Sequence, residues 1–239
     1  MEKLIATIIN GLLILLGSGL GVLLNDRFSP RLGRAIMSCL GLCVLGIGLS
    51  SLLKTQDTLC VIISMVLGTV LGEWLDLEGN MERGGELLKG LIQKDKGDSR
   101  FVEGFVTATV VYCVGAMAIN GSIQAGLNRD YSILLSKGVM DGVSAITFSA
   151  ALGVGVAFSV LPLILYQGAI TLLAGVIGPL LDPAAVNEMS AVGGAIIAGI
   201  ACNLLELPKE RLRVGNMLPA IFLPLLYLPI SVWLGGLLP

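Results

Sequence analysis

Residues 131–181 read YSILLSKGVMDGVSAITFSAALGVGVAFSVLPLILYQGAITLLAGVIGPLL and carry only two charged side chains, Lys137 and Asp141. A helix needs about 20 predominantly apolar residues to cross the apolar layer of a bilayer, which is about 30 Å thick. The stretch is therefore long enough to cross twice. It predicts membrane-spanning helices, and its two charges need an explanation because burying charge in lipid is costly.

The whole chain has the composition of a membrane protein. Of its 239 residues, 55% are hydrophobic and 13% are charged, whereas soluble domains carry about 25% charged residues. The chain has no histidine, which excludes histidine catalysis, histidine metal sites and imidazole relays. It shows no phosphate-binding loop or dinucleotide fingerprint, and its net charge of −2 gives no reason to expect nucleic acid. We expect no enzyme activity, cofactor or metal site.

Apolar runs of about 17 to 25 residues predict an all-α polytopic membrane protein that forms one integral domain over residues 1–239. About eight spans are predicted, near residues 3–24, 34–53, 59–75, 101–119, 131–160, 161–181, 189–205 and 217–237. A helix over 131–160 would be about 45 Å long. We expect tilt, a kink or a partly unwound start near Gly138 and Gly142 to take up the excess.

The connection over residues 76–100 is polar and carries eleven charges. Its apolar residues recur at roughly helical spacing, which predicts an interfacial amphipathic helix, with a solvated loop as the alternative. Lysines and arginines place it in the cytoplasm and the N-terminus outside, with eleven basic residues inside and three outside. The inner residues are Arg27, Arg31, Arg34, Arg83, Lys89, Lys94, Lys96, Arg100, Lys209, Arg211 and Arg213.

A faint internal repeat relates residues 11–24 to 168–181 and continues into the following spans. It divides the chain into a first helical repeat, central helices and a second repeat, over 1–75, 101–160 and 161–239. With the predicted topology the two repeats are inverted, which is typical of secondary transporters. The alternative is chance similarity in a chain rich in leucine and glycine.

Proline predicts that the last span is broken. Pro219, Pro224 and Pro229 follow one another at five-residue intervals, and each removes a backbone donor and clashes with the preceding turn. A kinked helix with a purely structural role is the alternative, because membrane helices tolerate proline when neighbours satisfy the freed carbonyls.

Lys137, Asp141 and Ser144 recur at i, i+4 and i+7 and therefore share one helix face. One interpretation is an ion pair that neutralises itself, with Lys137 extending toward the outer surface. The other is a pair that lines a polar cavity, where Asp141 receives a cation, a proton or a substrate ammonium. Both interpretations place the stripe against protein or water.

Uncharged polar residues add further candidates for solute binding. Amides offer both donors and acceptors to a desolvated solute, although interhelical hydrogen bonding is their more common role in membranes. These amides are Asn120, Gln167, Asn203 and Asn216. The fourth span adds Thr107, Tyr112 and the charged Glu103. The alternative for Glu103 is a place at the inner interface, three residues beyond Arg100, where the helix dipole favours its charge.

Four stretches carry a family resemblance: FVEGFVTATVVYCVGAMAINGSIQAGL (101–127), LLSKGVMDGVSAITFSAALGVGV (134–156), YQG (166–168) and NMLPA (216–220). They resemble the bacterial YqgA/YdfK-type integral membrane proteins, the family called domain of unknown function 554. The resemblance covers nearly the whole chain and implies a multi-spanning protein of the bacterial cytoplasmic (inner) membrane. It supplies no mechanism.

These features together favour a secondary transporter or solute pathway in the lipid bilayer that handles a small solute or ion as a homo-oligomer. One alternative is a membrane scaffold or regulatory subunit whose segment 76–100 recruits a cytosolic protein. A passive channel is another, and it requires a continuous water-lined pore.

Overall fold

The computed structural model describes residues 2–25, 30–92, 100–178 and 182–235, and all regular secondary structure in these ranges is helical. A short 3-10 helix, Glu2–Leu4, precedes α1, and a longer one, Val214–Phe222, precedes α12. The α-helices are α1 (Ile5–Asn25), α2 (Pro30–Leu52), α3 (Thr58–Leu75), α4 (Leu77–Ile92), α5 (Arg100–Cys113), α6 (Ala116–Asn128), α7 (Ser132–Leu152), α8 (Gly155–Phe158), α9 (Val160–Leu172), α10 (Ala174–Ile177), α11 (Pro183–Leu204) and α12 (Pro224–Gly235).

Six helical segments in the described ranges are long and apolar enough to cross a bilayer, and two bent helix pairs raise the total to eight. The six are residues 2–24, 34–52, 58–75, 132–152, 155–172 and 183–204. Many of their large apolar side chains are exposed, as lipid contact requires, including Leu16, Leu42, Val70 and Leu165. The predicted fold class, a polytopic helical membrane protein, is confirmed.

The fifth predicted span ends earlier than expected. Helix α7 stops at Leu152 because Gly153 adopts a φ of 81°, which glycine accommodates without a steric penalty. The chain then reverses, and α8 and α9 form the next span from Gly155. The boundary predicted at residue 160 is therefore wrong. The excess length is removed by this reversal, and α7 is regular through the two glycines where a kink or unwinding was expected.

The fourth and last spans are both broken. Helix α5 ends at Cys113, Gly115 has a φ of 117°, and α6 continues at an angle of 59° to α5. This break lies inside the span predicted over 101–119. In the last span the long 3-10 helix meets α12 at Pro224 with a bend of 41°, as the prolines predict.

Three helix pairs form the body of the bundle: α1 with α7, α2 with α11, and α3 with the 3-10 helix Val214–Phe222. Small residues allow close approach at these contacts. Gly17 lies against the carbonyl of Gly142, and Gly72 lies against that of Asn216, so a methyl group at either glycine would overlap the neighbouring backbone. Glycine at these positions therefore sets the distance between the helices.

The predicted amphipathic helix is present as α4, which packs against α5 and the 3-10 helix. Met81 contacts the hydrophobic core, whereas Leu87 is 73% exposed. The rest of the predicted connection, residues 93–99, lies outside the described residues. Ion pairs join the end of α3, the start of α5 and the chain before the 3-10 helix at this same end of the bundle, which we call the α4 end.

Candidate functional site

A buried ion pair lies between α1 and α7. Lys137 and Asp141 stand one turn apart on α7, where their residues are 5% and 9% exposed, and their side chains pair directly. Asn10 of α1, which is fully buried, donates from Nδ2 to Asp141 Oδ2 over 3.1 Å. Gly138 faces the backbone of Asn10, so its small size lets α1 approach the pair. We call Lys137 and Asp141 the central ion pair.

An aromatic side chain of α5 completes the surroundings of the pair. The Nζ atom of Lys137 lies 5.9 Å from the ring centroid of Tyr112, within the range of a cation–π interaction. Tyr112 meets Phe148 of α7 edge to face, with 6.2 Å between ring centroids. Its hydroxyl lies close to Ser144 but makes no hydrogen bond of standard geometry.

The interior of the bundle holds many buried polar atoms without a hydrogen-bond partner among the described residues. About nine in ten buried polar groups are normally hydrogen-bonded, and exceptions commonly mark water or a functional role. The side chains concerned are Thr7, Asn10 (Oδ1), Ser18, Thr109, Tyr112, Ser122, Ser149, Gln167 (both amide atoms), Thr171 and Asn216 (Nδ2).

Five of these side chains belong to the region where α1, α6 and α9 meet beside α7. On α9, Gln167 and Thr171 share one face, and the backbone of Thr171 meets Gly126 of α6, one turn beyond Ser122. On α1, Leu4 faces Gly168 and Gly11 faces Ile164, so Thr7 lies at the level between these contacts. Asn10, one turn further along α1, reaches Asp141. We call Thr171, Gln167, Ser122, Thr7 and Asn10 the polar row, of which Asn10 contacts the central ion pair.

The structure keeps Lys137, Asp141 and Ser144 together on α7. Gln167 is fully buried on α9, and the other three predicted site residues lie elsewhere. Ser144 donates its hydroxyl to the carbonyl of Asp141 in its own helix, over 2.9 Å. Asn120 is exposed. Asn203 and Asn216 bond chain segments at the α4 end.

These last two amides hold backbone in place. Asn203 exchanges two hydrogen bonds with the backbone of Leu212, at 2.8 and 2.9 Å. Asn216 Oδ1 accepts from the backbone N–H of Glu78 over 2.7 Å, and the Glu78 carboxylate accepts from the N–H of Gly215 over 2.7 Å. Glu78 is 2% exposed, and burial raises its pKa above the ordinary value. We call these two reciprocal bonds the Glu78 bracket.

Sequence reasoning did not single out several buried polar residues, among them Asn10 and Glu188. Asn10 is the amide in the middle of the first apolar run, and that interruption was the available signal. Glu188 lies just before the predicted seventh span, is 2% exposed, and accepts hydrogen bonds from Thr55 Oγ1 at 2.5 Å and the N–H of Gln56 at 2.7 Å. Glu188 therefore ties the α2–α3 connection to α11.

Within the described ranges, no three or more histidine, cysteine, aspartate or glutamate side chains are grouped so that they could hold a metal ion. Among the described residues, the buried polar groups are one lysine, the three carboxylates of Asp141, Glu78 and Glu188, amides and hydroxyls. Such groups can bind a proton, a small cation or a polar solute.

A family match spans most of the helices described above. The family model described as "Protein of unknown function (DUF554)" matches residues 5–228. The chain belongs to this family. Among relatives of this DUF554 protein, the "Uncharacterized membrane protein YdfK" of Bacillus subtilis (strain 168) is 28% identical, with 91% of this chain and 93% of the relative covered.

A second relative is the "Uncharacterized protein YqgA" of Escherichia coli (strain K12). It is 31% identical over 95% of this chain and 96% of its own length. No solved structure matches this DUF554 chain. The resemblance stated from the four sequence stretches is confirmed.

Proposed function

We propose that this protein is a secondary transporter or solute pathway of the bacterial cytoplasmic membrane, with Asp141 as the group that receives a proton, a cation or a substrate ammonium. The observation that carries the proposal is the central ion pair, buried between α1 and α7 and hydrogen-bonded by Asn10. Charged residues inside membrane spans are rare, and they commonly belong to ion or substrate pathways.

The energetics of the pair support a functional role. Removing two charges from water costs several kcal/mol per ion, and well-packed apolar residues are often equally or more stable in the same place. Stability alone therefore does not account for Lys137 and Asp141. The polar row adds three hydroxyls and two amides on three helices, and such groups supply donors and acceptors for a desolvated solute.

Two further features support transport. Secondary transporters place their sites where helices are discontinuous, and this chain has breaks at Gly115 and Pro224.

The proposed inverted repeat relates α2 to α11. These two helices run antiparallel, since Gly41 meets Leu205 and Gly48 meets Ala198. The same proposed repeat also relates α1 to residues 168–181. Helix α1 is uninterrupted, whereas the second segment is divided at Leu173 into α9 and α10.

The proposed orientation puts the N-terminus outside and the α4 end in the cytoplasm, as the basic residues favour. Arg83, Arg211 and Arg213 pair with acidic residues at that end. A homo-oligomeric assembly is part of the same proposal, and cross-linking in native membranes measures it.

The experiment uses purified protein in liposomes loaded with the pH indicator pyranine. A potassium gradient with valinomycin sets the voltage, and amines, amino acids, organic acids and sugars are added one at a time. We expect at least one of them to move protons or charge, and Asp141→Asn to abolish that movement. Asn120→Ala, which alters an exposed amide, is the matched control.

An outcome in which Asp141→Asn folds normally and keeps full flux would exclude Asp141 as the binding group. A second outcome would favour the scaffold function over transport. In it, none of the added compounds moves protons or charge in wild-type vesicles, and Leu87→Ser abolishes co-purification of a cytosolic protein.

A further inference from the structure

A second interior site lies away from the central ion pair. A cavity of about 280 Å³ opens between α4, α5, α9 and the 3-10 helix Val214–Phe222. Its apolar walls include Met81, Val110, Val114, Pro162, Leu218 and Phe222. Val114 immediately precedes the break at Gly115, and Phe222 lies two residues before the break at Pro224. The cavity is thus bounded by both broken spans.

Three polar side chains interrupt these apolar walls. They are Thr109 and Cys113, one turn apart on α5, and Tyr166 on α9. Thr109 is 5% exposed, and its hydroxyl has no hydrogen-bond partner among the described residues. A threonine hydroxyl can both donate and accept a hydrogen bond, so Thr109 is, within the described part of the chain, an unpartnered polar group in the cavity lining. No charged side chain of the described residues lines the cavity.

We propose that this cavity binds an uncharged, mainly apolar molecule that carries one hydrogen-bonding group. An ion is disfavoured because an apolar wall leaves its charge unpaired. An apolar cavity of about 150 Å³ holds benzene, so 280 Å³ has room for a bicyclic aromatic. The hydroxyl of Thr109 would hydrogen-bond the polar group, with Tyr166 as a second partner.

The geometry also connects this site to the central ion pair. The last turns of α5 direct Thr109 and Cys113 toward the cavity, whereas Tyr112 lies under Lys137. A ligand that shifts this end of α5 therefore moves the aromatic ring beside the pair. This inference rests on the proposed function in one respect, namely that the bound molecule is coupled to flux through Asp141.

The test uses Cys113 as a reporter. A variant that retains Cys113 as its only cysteine is placed in lipid nanodiscs, and the rate of its modification by methyl methanethiosulfonate is measured with 2-naphthol or naphthalene present. We expect saturable protection by 2-naphthol and weaker protection by naphthalene. Thr109→Val should raise the half-protecting concentration of 2-naphthol about 3- to 10-fold, the value of one hydrogen bond, and leave naphthalene unchanged.

Two controls make the result specific. A variant with Cys202 as its only cysteine reports from α11, outside the cavity lining, and should show no protection. Val110→Phe fills the cavity and should abolish protection of Cys113, with folding checked by thermal unfolding.

The remaining outcomes overturn the proposal. Absence of protection excludes the site. Equal protection by both compounds, unchanged in Thr109→Val, indicates filling by any apolar chain, including a lipid acyl chain, and excludes the hydrogen-bonding ligand. Protection of Cys113 without Asp141-dependent flux would exclude the proposed transport function and leave the binding site standing. Flux that depends on Asp141 without protection of Cys113 would exclude the binding site and leave the transport function standing.

Discussion

The central ion pair and the arginine cluster at the α4 end use the same chemistry in different surroundings. The side chains of Lys137 and Asp141 are 7% and 12% exposed. Those of Arg213 and its partners Glu73 and Asp76 are 45%, 46% and 38% exposed. Water and salt screen the second cluster, but little of either reaches the first.

The difference shows that the contribution of an ion pair to stability depends on how far its two charges are exposed to water. An exposed pair gains little because each partner is well hydrated when alone. In a buried pair, each charge depends on the other, because losing one partner leaves an uncompensated charge in a medium of low polarity. The Glu78 bracket lies between these extremes, since Glu78 is buried but belongs to α4, which is not one of the candidate spans.

The largest effect is expected from breaking the central ion pair. Lys137→Ala should cost about 3–5 kcal/mol of unfolding free energy, because Asp141 remains buried without its partner. The double variant Lys137→Met with Asp141→Leu should recover most of this loss, with the unpaired amide of Asn10 as the remaining cost. Denaturant titration in lipid–detergent micelles measures both. Equal destabilisation by the single and double variants would show that the two charges do not depend on each other.

The hydrogen bond from Asn10 should contribute less than the pair itself. Asn10→Ala is expected to cost about 1.5–3 kcal/mol, the usual value for a hydrogen bond to a charged group. The same titration applies, and Asn120→Ala, at an exposed position, should lie within experimental error of wild type. If the two amide variants behave alike, Asn10 does not support Asp141.

The Glu78 bracket should give a pH-dependent effect of intermediate size. Burial raises the pKa of Glu78 above its ordinary value of 4.5, while the Gly215 N–H and Arg211 act in the opposite direction. With the pKa raised, the folded state binds the proton more tightly than the unfolded state does. Stability therefore falls as pH rises from 4.5 through the raised pKa.

Glu78→Gln keeps an acceptor for the Gly215 N–H and should flatten this part of the profile. Thermal unfolding of wild type and of Glu78→Gln at a series of pH values between about 4 and 8 measures this difference in pH dependence. Parallel profiles for the two proteins would assign the pH dependence to other groups.

The smallest effect is expected at the exposed cluster. Arg213→Ala should leave the thermal midpoint nearly unchanged at moderate salt, and any loss at low salt should diminish as salt is added. A salt-independent loss as large as that of Lys137→Ala would remove the contrast between the two clusters.

Particular elements show which features a single sequence can predict. Apolar runs and charge positions located most spans, because crossing a bilayer imposes a minimum length of apolar chain. They misplaced the boundary at 160, because Gly153 ends α7 within a continuous apolar run. The break at Gly115 was missed for the same reason, whereas the prolines of the last span marked its break.

Some residues of the candidate site could likewise be predicted from the sequence, and others could not. Lys137 and Asp141 were visible as rare charges at i, i+4, and Gln167 as an amide within a span. Asn10, 131 residues from Asp141, could not be assigned to it. Asn120 and Asn203 share the chemistry of Asn10, but their positions place them on an exposed surface and at a loop.

The sequence by itself determined that this protein spans a membrane through helices and that two opposite charges share one face of one helix. Those properties are local, since they follow from hydropathy and from the 3.6-residue period. Only the tertiary structure decided that Asn10 and Tyr112 surround the pair and that a cavity lies between the two broken spans. Contacts between distant helices depend on side-chain packing and on where glycines interrupt the backbone, and one-dimensional patterns do not encode these distances.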